Sequence, residues 1–409
     1  MNASAPSEIA AKEPSRGSIG EVFAAFLKLG VMSFGGPIAH LGYFREELVI
    51  RRRWLDEATY ADLVALCQFL PGPASSQVSF ALGVLRGNGL LGGLASWLAF
   101  TLPSAVIMFA FANVAARFTG PLAQGFLHGL KLVAVAVVAQ AIWGMSKSLT
   151  PDRPRAAIAL VALAVVVLFP GSFAQVAAIA LGAVAGLWLC RAEAAPPSGW
   201  LNFPVSRSMG GMALVLFAVL LVATPFVVAA SGSHGLAVFD AFYRSGALVF
   251  GGGHVVLPLL QAEVVTPGWV SNEAFLAGYG LAQAVPGPLF TFAAYLGAVM
   301  NTPPNGLAGA AIAQFALLLP GMLLVYGTLP FWDSFRTRPA AQAAMRGSNA
   351  AVVGILGAAL YNPVWTSAVM APRDFALALF GFLLLTVWKV PSWGVVVLLA
   401  AAGMLSALI

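Results

Sequence analysis

The sequence predicts an all-α polytopic membrane protein built from two inverted-topology repeats, each with broken, re-entrant helical hairpins. Three observations carry that prediction. The 409 residues are 60% apolar and 9% charged, and mean hydropathy is +0.89, whereas a soluble domain carries about 25% charge. A set of motifs recurs in the same order at a spacing of about 216 residues, the signature of a tandem repeat. Four apolar stretches are interrupted by glycine- or proline-rich triplets that leave each half too short to span. This composition excludes a soluble enzyme, a disordered chain and a nucleic-acid binder, and makes the lipid bilayer the protein's surroundings.

In chain order, residues 1–17 form a polar cytoplasmic tail with no pattern of a secretory signal peptide. The first membrane repeat occupies 18–190, a linker with an extra transmembrane helix occupies 191–235, and the second repeat occupies 236–409. Continuous spans are expected near 89–112, 122–146, 155–170, 172–190, 209–230, 305–330, 340–361, 374–388 and 391–409. The broken segments are 19–50 and 239–264, interrupted at Phe34-Gly35-Gly36-Pro37 and Phe250-Gly251-Gly252-Gly253, and 57–86 and 272–300, interrupted at Pro71-Gly72-Pro73 and Pro286-Gly287-Pro288. Within the repeat Lys28 aligns with Arg244, Trp54 with Trp269, Gln68 with Gln283, Pro103 with Pro320 and Gly129 with Gly347.

Orientation follows from the basic residues, which concentrate on the cytoplasmic side of membrane proteins. If each broken segment enters and leaves on one side, Arg51-Arg52-Arg53, Arg86, Lys147, Arg153, Arg155, Arg191, Arg207, Arg336, Arg338 and Lys389 all fall in the cytoplasm with the N-terminus. Only Arg117 and Arg373 fall outside. Five crossings then separate equivalent points, and an odd number inverts the second repeat. Asp56 and Ser271, each two residues after a tryptophan, are expected helix N-caps.

Broken helices persist in a bilayer only around a buried or wet cavity, because each unpaired backbone group costs several kcal/mol. Pro71 and Pro73 end one half-helix, and the next begins with free N–H groups beside Ser75 and Ser76; Pro286, Gly287, Pro288 and Thr291 occupy the mirrored place. Such a terminus favours an anion. Gly35, Gly36, Gly251 and Gly252 permit the matching sharp turns.

Lys28 and Arg244 lie six residues before these turns, and a cation this deep is a functional candidate. Asp240, one turn before Arg244, is a competing partner for it, while Ala24 holds that position before Lys28. Gln68 and Gln283 add neutral donors, and His40 and His254 are candidates for substrate binding or proton carriage. His128, Lys131 and Arg346 bias the apolar core further toward positive charge. Cys67 and Cys190 form neither a disulfide framework nor a metal motif.

These motifs resemble the chromate ion transporters of the long, two-repeat type. The resemblance rests on Phe34-Gly35-Gly36-Pro37 with Trp54-Leu55, on Gln68-Phe69-Leu70-Pro71-Gly72-Pro73, and on Phe250-Gly251-Gly252-Gly253-His254 with Pro286-Gly287-Pro288, and covers nearly the whole chain. It implies a bacterial inner-membrane protein that moves chromate outward and confers chromate resistance, with sulfate as the structural mimic and no cofactor. A tetrahedral dianion would sit between the half-helix N-termini, two cations balancing its two charges. A channel or a proton-coupled importer of sulfate would use the same site. A membrane-bound chromate reductase would need a redox cofactor, for which the two cysteines and four histidines provide no pattern. A homodimer stays open.

Overall fold

The computed structural model describes residues 17–34, 36–115, 120–169, 172–191, 203–249, 255–332 and 338–407. Among them there is no strand. Gly35, Gly251, Gly252 and His254 lie outside the described residues.

The first hairpin is α1 (Ile19–Met32) and α2 (Gly36–Phe44), the latter continued by a π-helical turn over Arg45–Arg51. Then follow α3 (Glu57–Phe69), α4 (Ala74–Arg86), α5 (Leu90–Ala115), α6 (Pro121–Leu149), α7 (Arg153–Leu168) and α8 (Ser172–Leu189). After α9 (Arg207–Ser231) the pattern repeats. It runs through α10 (His234–Ala247), α11 (Val256–Leu260) with a π-helical turn at Gln261–Val265, α12 (Asn272–Ala282), α13 (Phe292–Ala298) and α14 (Gly306–Thr328), and then α15 (Pro339–Ala359), α16 (Pro372–Thr386) and α17 (Ser392–Ser406). Leu90–Val114, Pro121–Leu149, Arg207–Ser231, Gly306–Phe331 and Pro339–Ala368 are each long and apolar enough to cross a bilayer. The protein is a multi-pass, all-α membrane protein with two repeats.

Local chemistry sets the boundaries. The Asp56 carboxylate accepts from Thr59 N at 2.8 Å and the Ser271 hydroxyl from Ala274 N at 3.2 Å, capping α3 and α12. Ser18, Asp152 and Ser206 cap α1, α7 and α9 in the same way. Proline in the first turn of α6, α7, α15 and α16 costs no helical bond there.

Packing within each repeat is parallel in plan: α1 and α4 lie on α5, and α10 and α13 lie on α14. The remaining helices are exchanged. α6 packs against α16 and α17 of the second repeat, while its counterpart α15 packs against α7 and α8 of the first. Glycine makes both contacts close. A Cβ at Gly403 would strike the Gly125 carbonyl and come within 2.9 Å of Gly129 Cα, and one at the equivalent Gly186 would meet the Ala343 carbonyl and lie 2.9 Å from Gly347 Cα. Without a hydrophobic drive between helices in lipid, such close backbone approach is what holds a bundle together. The exchange locks the repeats around a shared centre, where the hairpin tips meet.

Candidate functional site

The two Pro-Gly-Pro breaks form as the missing proline N–H groups require. α3 stops at Phe69 and α4 starts at Ala74; α12 stops at Ala282 and a 3-10 turn, Leu289–Thr291, leads into α13. Gly72 and Gly287 take φ of +125° and +91°, a region that side chains disfavour. Space is equally restrictive, since a Cβ would lie 2.8 Å from Gln77 Nε2 at Gly72 and 2.8 Å from Ser104 Oγ at Gly287.

Each central glycine donates to the opposite repeat. Gly72 N donates to the Val249 carbonyl at 2.6 Å, and Gly287 N donates to the Ser33 carbonyl at 2.8 Å. Val249 and Ser33 are themselves repeat equivalents, each at the tip of its own first hairpin. The two bonds therefore exchange tips reciprocally. They also engage two of the amides expected to be free for a ligand. Gln77 reinforces the first crossing by donating to Pro71 O at 2.9 Å and Gly321 O at 3.2 Å.

The second crossing borders a cavity of about 100 Å³ lined by Gly36 and Pro37 of α2, Gln283, Gly287 and Leu289 of the second break, Val137 and Gln140 of α6, and Ser392 at the start of α17. A single water needs only about 10–15 Å³ on the same measure, so several waters or a small oxyanion fit. Gln283 donates to Tyr279 O at a long 3.4 Å.

The half-sites differ. α4 has no side-chain cap, and its first helical bond runs from Gln77 N to Pro73 O, leaving earlier amides outside the helical ladder. Ser75 and Ser76 are buried there, and the Ser76 hydroxyl has no partner. His40 is fully buried, with Nδ1 3.3 Å from Ser75 Oγ and its ring edge-on to Phe100. In the second repeat Phe290 replaces Ser75, and Thr291 Oγ1 donates to Pro288 O at 2.8 Å. The hydroxyl that sequence placed in the site is thus engaged by its own turn.

The deep cations require a correction. Lys28 has a partner, Glu47, whose carboxylate lies 2.9 Å from Nζ and also takes Arg52 Nε at 2.9 Å. Arg244 contacts Glu263 at 3.0 Å and Asp240 at 3.0 Å. Asp240 accepts as well from Thr224 Oγ1. Glu47 and Glu263 are repeat equivalents on the two π-helical turns, so both first hairpins are closed by the same pair. The signal was in the sequence, as the Lys28-to-Glu47 separation equals the Arg244-to-Glu263 one, but partners sought one turn away on the same helix miss a carboxylate on the returning arm. Two free cations balancing one dianion is therefore not the arrangement found: Arg244 lies between two carboxylates, and neither cation lines the cavity.

Other expected site residues divide in the same way. Gln68 is exposed rather than turned into the cavity. His128 Nε2 pairs with Asp374 at 2.9 Å, and Arg346 donates to the Cys190 carbonyl at 3.0 Å, both joining helices. Arg51 and Arg52 bind Glu46 and Glu47 at the base of the first hairpin. Gln140 and Ser392 line the cavity but carry no motif, and only the folded chain brings them there.

A family model described as chromate transporter matches the chain twice, over residues 20–187 and 236–405. A chromate transport protein of Pseudomonas aeruginosa is 28% identical over 406 residues, covering 94% of this chain and 91% of that protein. One of Cupriavidus metallidurans is 30% identical over 374 residues, covering 89% and 87%, and a probable chromate transport protein of Synechococcus elongatus is 29% identical, covering 95% of both. No solved structure matches the chain. With both halves matched and relatives aligned over most of their length, the chain belongs to the chromate transporter family.

Proposed function

We propose that this protein is a secondary transporter that carries chromate, and sulfate as its structural mimic, out of the cell across a bacterial inner membrane, conferring chromate resistance. The observation that carries the reading is the reciprocal crossing of the hairpin tips beside the cavity at Gly36, Gln283 and Gly287. The anion is held there by backbone amides and neutral donors, at helix starts whose dipoles favour negative charge. The paired cations Lys28 and Arg244 close the hairpins rather than coordinate the ligand.

The repeats are read as inverted, with the N-terminus cytoplasmic, because that arrangement puts nearly all loop Lys and Arg on one side. Reciprocal tip exchange is what a two-fold axis between the repeats would produce. Export of a dianion from a negative-inside cell is then downhill by about 4.6 kcal/mol per 100 mV, twice the single-charge value. No nucleotide is needed.

Purified protein in proteoliposomes tests this. Labelled chromate trapped with excess unlabelled sulfate should exchange, and net flux should reverse when the clamped potential is reversed. Exchange of one dianion for another moves no net charge, so the net flux is what decides: a net flux that ignores the sign of the potential would refute electrogenic dianion transport.

A further inference from the structure

We propose that His40 is the proton-binding site of the transport cycle, so that each dianion enters the crossing together with one proton. The inference rests on the oxyanion reading above and names what balances the anion's charge.

His40 sits at the point where the repeats interlock. Its ring lies against the Ser33 main chain, and the Ser33 carbonyl is the acceptor for Gly287 N of the second repeat at 2.8 Å. Nδ1 faces Ser75 Oγ in the first turn of α4 at 3.3 Å, and Phe100 covers one side of the ring. Nε2 has no hydrogen-bond partner, and neither have the buried hydroxyls of Ser33 and Ser76. Unsatisfied polar atoms this deep are costly unless a ligand or water completes them.

Among the described residues no charged group acts on the imidazole. Burial and the Ser33 main chain are the influences on it. On α1, Lys28 pairs with Glu47, and Glu21 with Arg86, which comes from the far end of α4. Past α2, Arg45 turns to Glu57 of α3, and Glu46 to Arg51. Tyr60 of α3 donates to the Leu41 carbonyl, Asp62 has a partner of its own, and Cys67 is buried. α5 carries no titratable side chain, and neither does the second break from Leu281 to Phe292.

An imidazolium alone in this setting would be an uncompensated buried charge, and so would a dianion. Together they neutralise each other in part across the second crossing: His40 does not line the cavity, so its charge acts on the anion through the Ser33–Gly287 bond rather than by contact, while Nδ1–H donates to Ser75 Oγ. Proton and anion binding are therefore linked, each strengthening the other. The proton comes from and returns to water, and no covalent bond to the anion changes; carried with the dianion it leaves one net negative charge per cycle, so export stays electrogenic with half the voltage dependence of the bare dianion. Among the described residues, His40 is then the ionisable group of the first half-site that is placed to change charge during transport.

The test is calorimetric titration of detergent-solubilised protein with sulfate and with chromate at alkaline pH, where both are dianions, in buffers of different ionisation enthalpy. The expected result is uptake of close to one proton per anion, and affinity that falls about tenfold per pH unit in the linked range. In His40→Gln the uptake and the pH slope should vanish while weaker binding remains. In Ser75→Ala, which keeps the imidazole and removes its Nδ1 partner, uptake should persist with a shifted pH midpoint. If His40→Gln does not fold, an unmoved midpoint in Ser75→Ala overturns the proposal. Binding without proton uptake, or uptake that survives His40→Gln, overturns it and leaves the oxyanion reading intact. Absence of anion binding in the unmodified protein overturns both.

Discussion

Replacing Pro71, Gly72 and Pro73 together by alanine is expected to lower chromate exchange by about a hundredfold or more, because it undoes one of the two crossings that hold the hairpin tips around the cavity, and a misplacement of about 1 Å in a binding geometry has an effect of that size. Without the prolines and the positive φ of Gly72, one helix can run from Glu57 to Arg86, about 45 Å at 1.5 Å per residue. That overshoots the roughly 30 Å hydrocarbon layer, pulls the α4 start away from the centre and removes the Gly72–Val249 bond. Backbone hydrogen bonds stay satisfied within the continuous helix, so the protein should still insert and purify as one species. Exchange near the unmodified rate would show that the break is an architectural device.

The second large effect concerns stability. Arg244→Gln leaves Asp240 and Glu263, with side chains 6% and 15% exposed, facing each other without their shared cation. Stranding buried charges in this way costs on the order of 3 kcal/mol. Lys28→Gln should cost about 1 kcal/mol or less, because the lysine is 44% exposed and Arg52 still neutralises Glu47. Unfolding midpoints in detergent report the difference, and adding Glu263→Gln to Arg244→Gln should recover part of the loss. Equal costs at the two positions would mean that exposure and partner count do not govern these pairs.

Much of the fold could be read before folding was considered. Long apolar runs, proline triplets and capping residues act locally, so the helices, the Pro-Gly-Pro breaks and the Asp56 and Ser271 caps were legible. Of the nine expected spans, however, only five are matched by described helices long and apolar enough to cross, α7, α16 and α17 being 15 or 16 residues. The exchange of α16 and α17 onto α6 was not, because aligned glycines such as Gly129 and Gly347 mark close approach without naming the helix that approaches. The site was legible in the same proportion. The triplets announced an interruption of the helices, yet which tip each would meet depends on Gly72 reaching Val249 and Gly287 reaching Ser33 across the repeats. Lys28 looked unpaired since Glu47 is near it only once the hairpin closes. Thr291 looked available because its bond to Pro288 arises from a 3-10 turn that proline patterns alone do not specify.

The proposed anion site is the cavity at the crossing. Ser392 lines that cavity and differs from cysteine by one atom. In protein whose buried Cys67 and Cys190 have been replaced, Ser392→Cys provides a reporter there, and a cysteine at Val161, 57% exposed on α7, serves as control. Saturating chromate or sulfate should slow thiol modification at position 392 about tenfold or more, the occupancy effect of a ligand at ten times its dissociation constant, and leave position 161 unaffected. Unchanged modification at 392, in protein that still exchanges chromate, would place the anion site elsewhere.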